Sequence, residues 1–347
     1  MKNQIGDKKI SRREFVGTAA ASAIGIGLVG YSKAFAQQVS TEKIENKMIW
    51  GNLVHLSMNM WEDRVTPERE ARYYRPYLRF DEKLWNDILV EMQKAKMTMV
   101  VIDLGDGVKY QSHPEIAVKN AWTVDKLKKE LAKIRSMGME PIPKLNFSTG
   151  HDAWMGEYSR CVSTPKYYDF CRNLIAEVIE LFDKPRFFHL GMDEESPSHQ
   201  KYYAFLAVRQ FDLWWKDLYF YFDQVTKGGA RPWLWSDYYW HHPETFLKKM
   251  PRSVVQSNWY YGTEFNTDIN YVKAYHDLEE YGYDQIPTGS NFASPENFGM
   301  TVDYCKKHIG KERLLGFLQT PWRPTLETYR QHHLEAVRQV GRAIAKI

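Results

Sequence analysis

Three carboxylates stand side by side at Asp193-Glu194-Glu195. They directly follow the run Phe187-Phe188-His189-Leu190-Gly191-Met192 and precede the turn residues Ser196-Pro197-Ser198. A buried strand that ends at a glycine and hands acids to a loop is one way to build a proton-transfer site. Adjacent carboxylates raise one another's proton affinity, so one can hold a proton as a general acid while its neighbour stays charged. A plainer explanation fits the same residues. Acids favour the first turn of a helix, where they meet the positive end of its dipole. The stretch alone does not choose between the two.

Further residues with chemical capacity are His151 in Gly150-His151-Asp152, Trp235 with Asp237, Asn258-Trp259-Tyr260, and Trp322. His189 lies on the strand itself, where a histidine is more often a satisfied core group that steadies a neighbouring acid. Asp103 and Asp106 read equally as substrate contacts or as turn caps, since Asp106-Gly107 is a common turn pair. Trp214 and Trp215 fall mid-helix beside Phe211 and Leu218 and read as packing. The pair His241-His242 lacks any accompanying His, Cys or Glu spacing typical of a metal site, and no metal is expected.

Whether these residues meet depends on the elements that carry them. Apolar strand-like runs alternate with amphipathic helical patterns eight times. The strands are predicted at 49–57, 97–103, 141–146, 186–191, 232–236, 253–258, 285–289 and 314–320. The helices are predicted at 82–96, 123–137, 165–182, 201–225, 244–250, 269–281, 297–309 and 326–347. Strict alternation implies right-handed crossovers and a parallel sheet, and eight repeats in about 300 residues fit one closed (β/α)8 TIM barrel, class α/β. A doubly wound open sheet is the alternative, and the weak seventh strand is where the two diverge. In a barrel, reactive side chains gather where strands end. Asn59, Trp61, Asp103, Asp106, Asn146, His151, Asp193, Glu194, Trp235, Asp237, Asn258, Trp259, Tyr260, Asn291 and Trp322 all stand at or just past strand ends, whereas the opposite loops at 136–140 and 183–185 are plain turns.

The N-terminus reads as an address. Ser11-Arg12-Arg13-Glu14-Phe15-Val16 is a twin-arginine pattern, followed by a small-residue apolar run to Gly30 and an A-x-A site at Ala34-Phe35-Ala36. Residues 1–36 are therefore expected to be a signal peptide read by the twin-arginine export machinery, and 37–347 the barrel, periplasmic or secreted. The apolar run is too short for stable membrane insertion. It also holds Gly25-Ile26-Gly27-Leu28-Val29-Gly30, a dinucleotide fingerprint without the strand and helix that would give it meaning, so no cofactor is expected. The whole chain carries +4. Residues 1–36 hold six cations against two anions, leaving the rest neutral, which removes support for nucleic-acid binding. Three cysteines make no disulfide framework. The 12 Trp and 22 Tyr exceed what a core needs and suit stacking on sugar rings.

Acids and indoles around one mouth suit glycosidic bond cleavage, which needs a proton for the leaving oxygen and negative charge near the anomeric carbon. His189-Leu190-Gly191-Met192-Asp193-Glu194 resembles the H-x-G-G-D-E motif of family 20 glycoside hydrolases, the β-N-acetylhexosaminidases, on the same fourth strand. Gly150-His151, Trp235, Asn258-Trp259-Tyr260 and Trp322 resemble, in order, that family's Gly-His, two pocket tryptophans and the D-x-Y between them. The resemblance runs from about residue 98 to 322. It implies a retaining, substrate-assisted hydrolase of an oligosaccharide or glycoside. Glu194 would be general acid/base, Asp193 would orient the 2-acetamido N–H, and Tyr260 would bond its oxygen. The chain departs from the family at Met192 for Gly, Asn258 for Asp and Pro324 for a Glu, and it has no Arg at the end of the first strand, where Arg64 is nearest.

Two alternatives within sugar chemistry follow. One is a glycan-binding barrel without catalysis. The other is a glycosidase on a non-acetamido sugar, with a second carboxylate such as Asp237 as nucleophile. A cofactor-loaded redox enzyme, a common cargo of twin-arginine export, finds no cysteine or histidine cluster to support it.

Overall fold

Eight parallel strands and the helices between them form a (β/α)8 TIM barrel in the computed structural model, which describes residues 48–66 and 72–346. The signal segment and cleavage site expected at 1–36 lie outside the described residues. The strands are β1 Ile49–His55, β2 Met99–Asp103, β3 Glu140–Lys144, β4 Phe187–His189, β5 Arg231–Trp235, β6 Val255–Ser257, β7 Thr288–Gly289 and β8 Gly316–Gln319. They pair in the order β6-β5-β4-β3-β2-β1-β8-β7.

The seam between β6 and β7 closes the ring. Gln256 and Trp259 bridge to Gln285 and Thr288. Ile286 N–H donates to the Gln256 carbonyl at 2.9 Å, and Thr288 N–H donates to that of Asn258 at 2.9 Å. These bonds decide for the closed barrel over the open sheet. The seventh strand is weak because only two of its residues form a regular ladder with β8.

Side chains alternate across a strand, so every second residue points into the barrel. Ile49, Leu53, Met99, Val101, Ile142, Phe187, Trp233, Val255, Ile286 and Leu318 fill this interior. One step further along β1, β2, β3 and β4 the same alternation brings His55, Asp103, Lys144 and His189, all buried. Lys144 Nζ lies 2.6 Å from Asp103 Oδ2 and His55 Nδ1 lies 3.2 Å from it. Burial alone would raise the Asp103 carboxyl, but Lys144 and His55 hold it below its ordinary value. Asp103 is thereby a structural charge under the mouth. Asp106 also turns inward, accepting from Ser57 Oγ at 2.5 Å and Asn59 Nδ2 at 3.0 Å, and burial pushes it up to about 7.

The helices begin where capping residues allow. Asp81 accepts Lys83 and Leu84 N–H at the start of α1 Glu82–Lys94, and Thr123 accepts Lys126 N–H at the start of α2 Val124–Ser136. Thr164 caps α3 Pro165–Leu181, with proline in its first turn. The fourth helix differs from expectation. α4 is Asp212–Lys227, not 201–225. Phe211 at its start has φ 53°, a left-handed conformation that stops the helix running backwards, and just before it Arg209 is pulled inward with 0% of its side chain exposed. Trp214 and Trp215 are buried on α4, and Trp214 stacks on Tyr238 with centroids 4.0 Å apart. The later helices are α5 Tyr238–His241, α6 Pro243–Lys249, α7 Asn270–Glu280, α8 Asn297–His308 and α9 Arg330–Ala345. The three cysteines are unpaired.

Candidate active site

The acidic stretch forms a tight loop at the end of β4, and the next helix starts only at residue 212. Gly191, Met192 and Glu194 all have positive φ, at 70°, 73° and 53°. A run of left-handed residues persists only when its surroundings hold it. Asn146, just beyond β3, supplies much of that hold. Its Oδ1 accepts the N–H groups of Ser148 and Met192, each at 3.1 Å, and its Nδ2 donates to Asp193 Oδ1 at 2.7 Å. Gly191 lies so close that an added Cβ would sit 2.1 Å from Asn146 Oδ1. Gly191→Ala is therefore expected to push Asn146 off Asp193, destabilising the fold by about 2–3 kcal/mol through overpacking and the forced left-handed backbone. Thermal unfolding beside a neutral surface variant checks this, and an unchanged midpoint would contradict it.

Glu195 has a structural task. It is gripped by Arg209, whose Nε and Nη2 donate to its two oxygens at 2.9 and 2.8 Å. Arg209 also meets Asp217 Oδ2 at 3.2 Å, Tyr221 Oη at 2.7 Å and the Phe147 carbonyl at 2.6 Å. A bidentate guanidinium–carboxylate pair fixes direction as well as position. It pins the residue next to Glu194.

Asp193 and Glu194 share His151. Its Nε2 lies 3.3 Å from Asp193 Oδ2 and 3.1 Å from Glu194 Oε2. Burial would lower the imidazole, but Asp193 and Glu194 overcome it and push His151 up to about 10. Glu194 has a second partner in His199, whose Nε2 is 3.2 Å from Glu194 Oε2 while its Nδ1 lies 2.8 Å from Ser196 Oγ. Burial would raise Glu194, yet its bonds to both histidines and their positive charge hold it below the usual carboxylate range. Asp237, from the end of β5, accepts the Glu194 N–H at 2.8 Å. Burial, followed by repulsion from Asp193, drives its carboxyl well up, so Asp237 favours the neutral acid.

Two adjoining depressions, of about 400 and 380 Å³, open at the strand ends. Glu194, His199, Trp259 and Tyr261 line both and form the divide. The first adds Asp237, Tyr238, Trp240, His241, His242 and Tyr260; the second adds Asp193, Trp61, Trp322, Phe292, Arg72 and Lys201.

Of the residues singled out in the sequence, Glu194, Asp193, Asp237, Trp259, Tyr260 and Trp322 line these walls, and His151 sits directly behind the acids. His189, Trp235 and Asn258 do not line either depression. His189 is buried against Trp233 and Trp235, with Nδ1 accepting Gly191 N–H at 3.1 Å, and burial, aided by Lys144, lowers its proton affinity strongly. Trp235 underlies Trp322 with ring centroids 6.0 Å apart. Asn258 accepts from Trp240 Nε1 at 2.9 Å and donates to the Tyr271 carbonyl at 2.7 Å, which makes it a bracket for the wall.

Trp61, singled out at the end of the first strand, lines the second depression too, and His199, Tyr261, Arg72 and Phe292 complete the mouth. Tyr261 is nearest the divide, its hydroxyl accepting from Trp322 Nε1 at 2.8 Å, whereas Tyr260 stacks outward on Tyr271. Two adjacent tyrosines at a strand end leave their facing undetermined in sequence. His199 sits five residues past Glu194 in a turn, and that nearness was its only signal.

One nitrogen of His151 and one oxygen each of Asp193 and Glu194 lie within 4.8 Å of one another, a spacing a divalent cation could bridge. His151 Nε2 also stands within hydrogen-bond distance of both carboxylate oxygens, so the imidazole itself bridges the pair.

No family model matches the chain, and no curated protein matches it in sequence. Solved structures do resemble it. One is the β-N-acetylhexosaminidase from Bacteroides fragilis, 14% identical over 84% of this chain and 65% of that one, TM-score 0.54. Another is the family 20 β-N-acetylhexosaminidase from Streptomyces coelicolor, 12% identical over 85% and 64%, TM-score 0.57. A mutant Streptomyces plicatus β-hexosaminidase in complex with its product GlcNAc is 14% identical over 84% and 63%, TM-score 0.57. The likeness is one of fold. The match takes in slightly under two thirds of each of these longer chains.

Proposed function

We propose that this chain is an exported glycoside hydrolase that cleaves a β-linked 2-acetamido sugar with retention and with help from the substrate. The observation that carries the reading is the Asp193–Glu194 pair, fixed at the end of β4 by Asn146 and His151 inside an aromatic mouth. Fold likeness to β-N-acetylhexosaminidases supports it.

The sugar ring lies in the half lined by Asp193, Trp61 and Trp322, with the leaving group towards Asp237 and His242. The acetamido carbonyl oxygen attacks the anomeric carbon as the glycosidic C–O bond breaks, and the leaving oxygen takes a proton from Glu194. Asp193 accepts the acetamido N–H and balances the charge of the cyclic intermediate. The Tyr261 hydroxyl, on the divide, is the donor for the acetamido oxygen. Water then adds to the anomeric carbon and returns its proton to Glu194.

Glu194 is held ionised in the free protein, so the proton must be supplied as the sugar binds. His151, 3.1 Å away, carries one. A sugar that strips water from the 30% exposed Glu194 side chain raises its proton affinity and draws the proton across.

The test is hydrolysis of aryl β-glycosides with and without the 2-acetamido group. Cleavage confined to the acetamido substrates is expected. Cleavage only of sugars lacking it would overturn the assisted route and point to a second carboxylate as nucleophile. Activity is also expected to survive exhaustive chelation; loss restored by zinc would instead favour a cation held by His151, Asp193 and Glu194.

The same pair predicts a pH window for stability. His151 has a folded pKa of about 10, above its ordinary 6.5, so its contribution is full below about 6.5 and fades as pH rises towards 10. Glu194 is depressed, so its contribution is present above its ordinary 4.5 and is lost as pH falls further. Urea midpoints should therefore plateau between roughly pH 5 and 7 and decline on both sides. His151→Ala should flatten the alkaline decline, and an unchanged slope there would exclude His151 as its source.

A further inference from the structure

The most exposed large apolar side chains among the described residues gather in one place. Phe211 is 80% exposed, Phe205 71%, Val65 65%, Val208 63% and Leu206 59%, and Leu213 lies at the edge of the same stretch. All but Val65 belong to the connection from β4 into α4. Val65 joins them because its neighbours tie the two loops together. Arg64 donates to the Lys201 and Tyr202 carbonyls at 3.1 and 3.0 Å, and Asp63 accepts the Ala204 N–H at 2.9 Å.

The backbone that displays these side chains is tied down. Gln200 Oε1 accepts the Ala207 N–H at 2.8 Å, Arg160 donates to the Phe205 carbonyl at 3.2 Å, and Arg209 is buried among its partners. Ala207 and Arg209 turn in, so Leu206 and Val208 beside them face out. Phe211 takes a left-handed φ of 53°, a costly conformation that buries almost none of its ring. Monomeric proteins rarely leave a contiguous apolar patch above a few hundred Å² open to water. At these exposures the six side chains present on the order of 600 Å².

We propose that two copies of this chain pair through this patch across a two-fold axis. A stable interface takes about 800 Å² from each partner, so the patch meets most of one copy's share, and a two-fold axis sets it against itself. The charges around it are mixed, with Lys201 and Lys216 against Asp63 and Asp212, and Asp212 is paired with Lys249. A two-fold axis sets such cations opposite anions, whereas a surface that lies on anionic lipid carries a surplus of cations. The chain's own remaining segments are too polar to cover the patch. Beyond the signal expected at 1–36, residues 37–47 and 67–71 hold Val39 and Ile44 as their large apolar side chains. The pairing bears on the mouth, because Ser198 and Lys201 of the same connection line the second depression. It stands independently of the hydrolase reading.

Sedimentation velocity on the purified protein, from about 0.1 to 100 μM, reads the pairing directly. A reversible species of twice the chain mass is expected within that range. Phe205→Asp and Phe211→Asp each set a charge into the apolar face. Either should raise the dissociation constant by at least about 30-fold, the loss of one hot-spot side chain. Both side chains are exposed, so the variants are expected to fold. Should one fail to fold, hydrogen exchange on the unaltered protein decides. The amides of 204–213 should be better protected at the top of the concentration range than at the bottom, and equal protection overturns the proposal. A monomer at every concentration overturns it too, as does a dimer that both folded variants leave intact, which would put the interface on another face. Flotation with vesicles of neutral or anionic phospholipid tests a lipid surface. A monomer that floats, and no longer does so in either variant, would give the patch to the membrane instead.

Discussion

Replacing Glu194 by Gln is expected to lower kcat by about 10²- to 10⁴-fold while the protein still folds, the range lost when a positioned general acid is removed. The amide keeps the size of the side chain and an oxygen for one histidine, but it has no proton to give at neutral pH. The loss should depend on the leaving group. A nitrophenolate departs with little assistance, so its hydrolysis should fall least; an alkyl or sugar leaving group needs the full proton and should fall most. That gradient separates loss of an acid from a general disturbance of the mouth, which would depress all substrates alike. If Glu194→Gln cleaves both kinds of substrate at the rate of the unaltered protein, Glu194 is not the donor. The neutral carboxyl of Asp237 is then the next candidate.

Arg209→Ala is expected to destabilise the fold by about 3–5 kcal/mol, the range for breaking a buried ion pair by removing one partner. Its side chain and that of Asp217 are fully buried, and that of Glu195 is 7% exposed, so the change strands two carboxylates out of water. The Phe147 carbonyl loses its side-chain donor as well, and the Tyr221 hydroxyl is left with Tyr167 alone. Glu195→Gln in the same background should give back part of the loss, because it removes one stranded charge. A double-mutant cycle from urea denaturation measures that coupling. Simple additivity would mean that the pair, though close, does not act as a unit. Catalysis should suffer beyond stability, since Glu195 anchors the backbone beside Glu194. A stable variant with unchanged kcat would show that the anchor is dispensable.

The alternation of apolar strands and amphipathic helices is written locally, in periods of two and of about 3.6 residues, and it was enough to predict the barrel and the end of it at which the acids and indoles gather. The prediction of helix from residue 201 shows where a local pattern misleads. Aromatic residues from 202 onward continue the apolar rhythm, but Arg209 finds buried carboxylate partners in Glu195 of the same loop and Asp217 of α4, and that attraction outweighs the helical preference of the segment.

The sequence by itself determined that Asp193 and Glu194 follow the fourth strand and that Trp259, Tyr260 and Trp322 follow the sixth and eighth. Tertiary structure alone decided which of the neighbouring groups meet them. His189 and Trp235 turn into the barrel as supports and Asn258 turns towards Trp240 and Tyr271 of the outer helices, whereas His199, Tyr261 and Arg72 come from loops to form the mouth. The reason is physical. Strand residues have their facing set by the pleat, but loop residues take positions fixed by contacts far away in sequence, such as Asn146 with Asp193, and those contacts exist only once the barrel has closed.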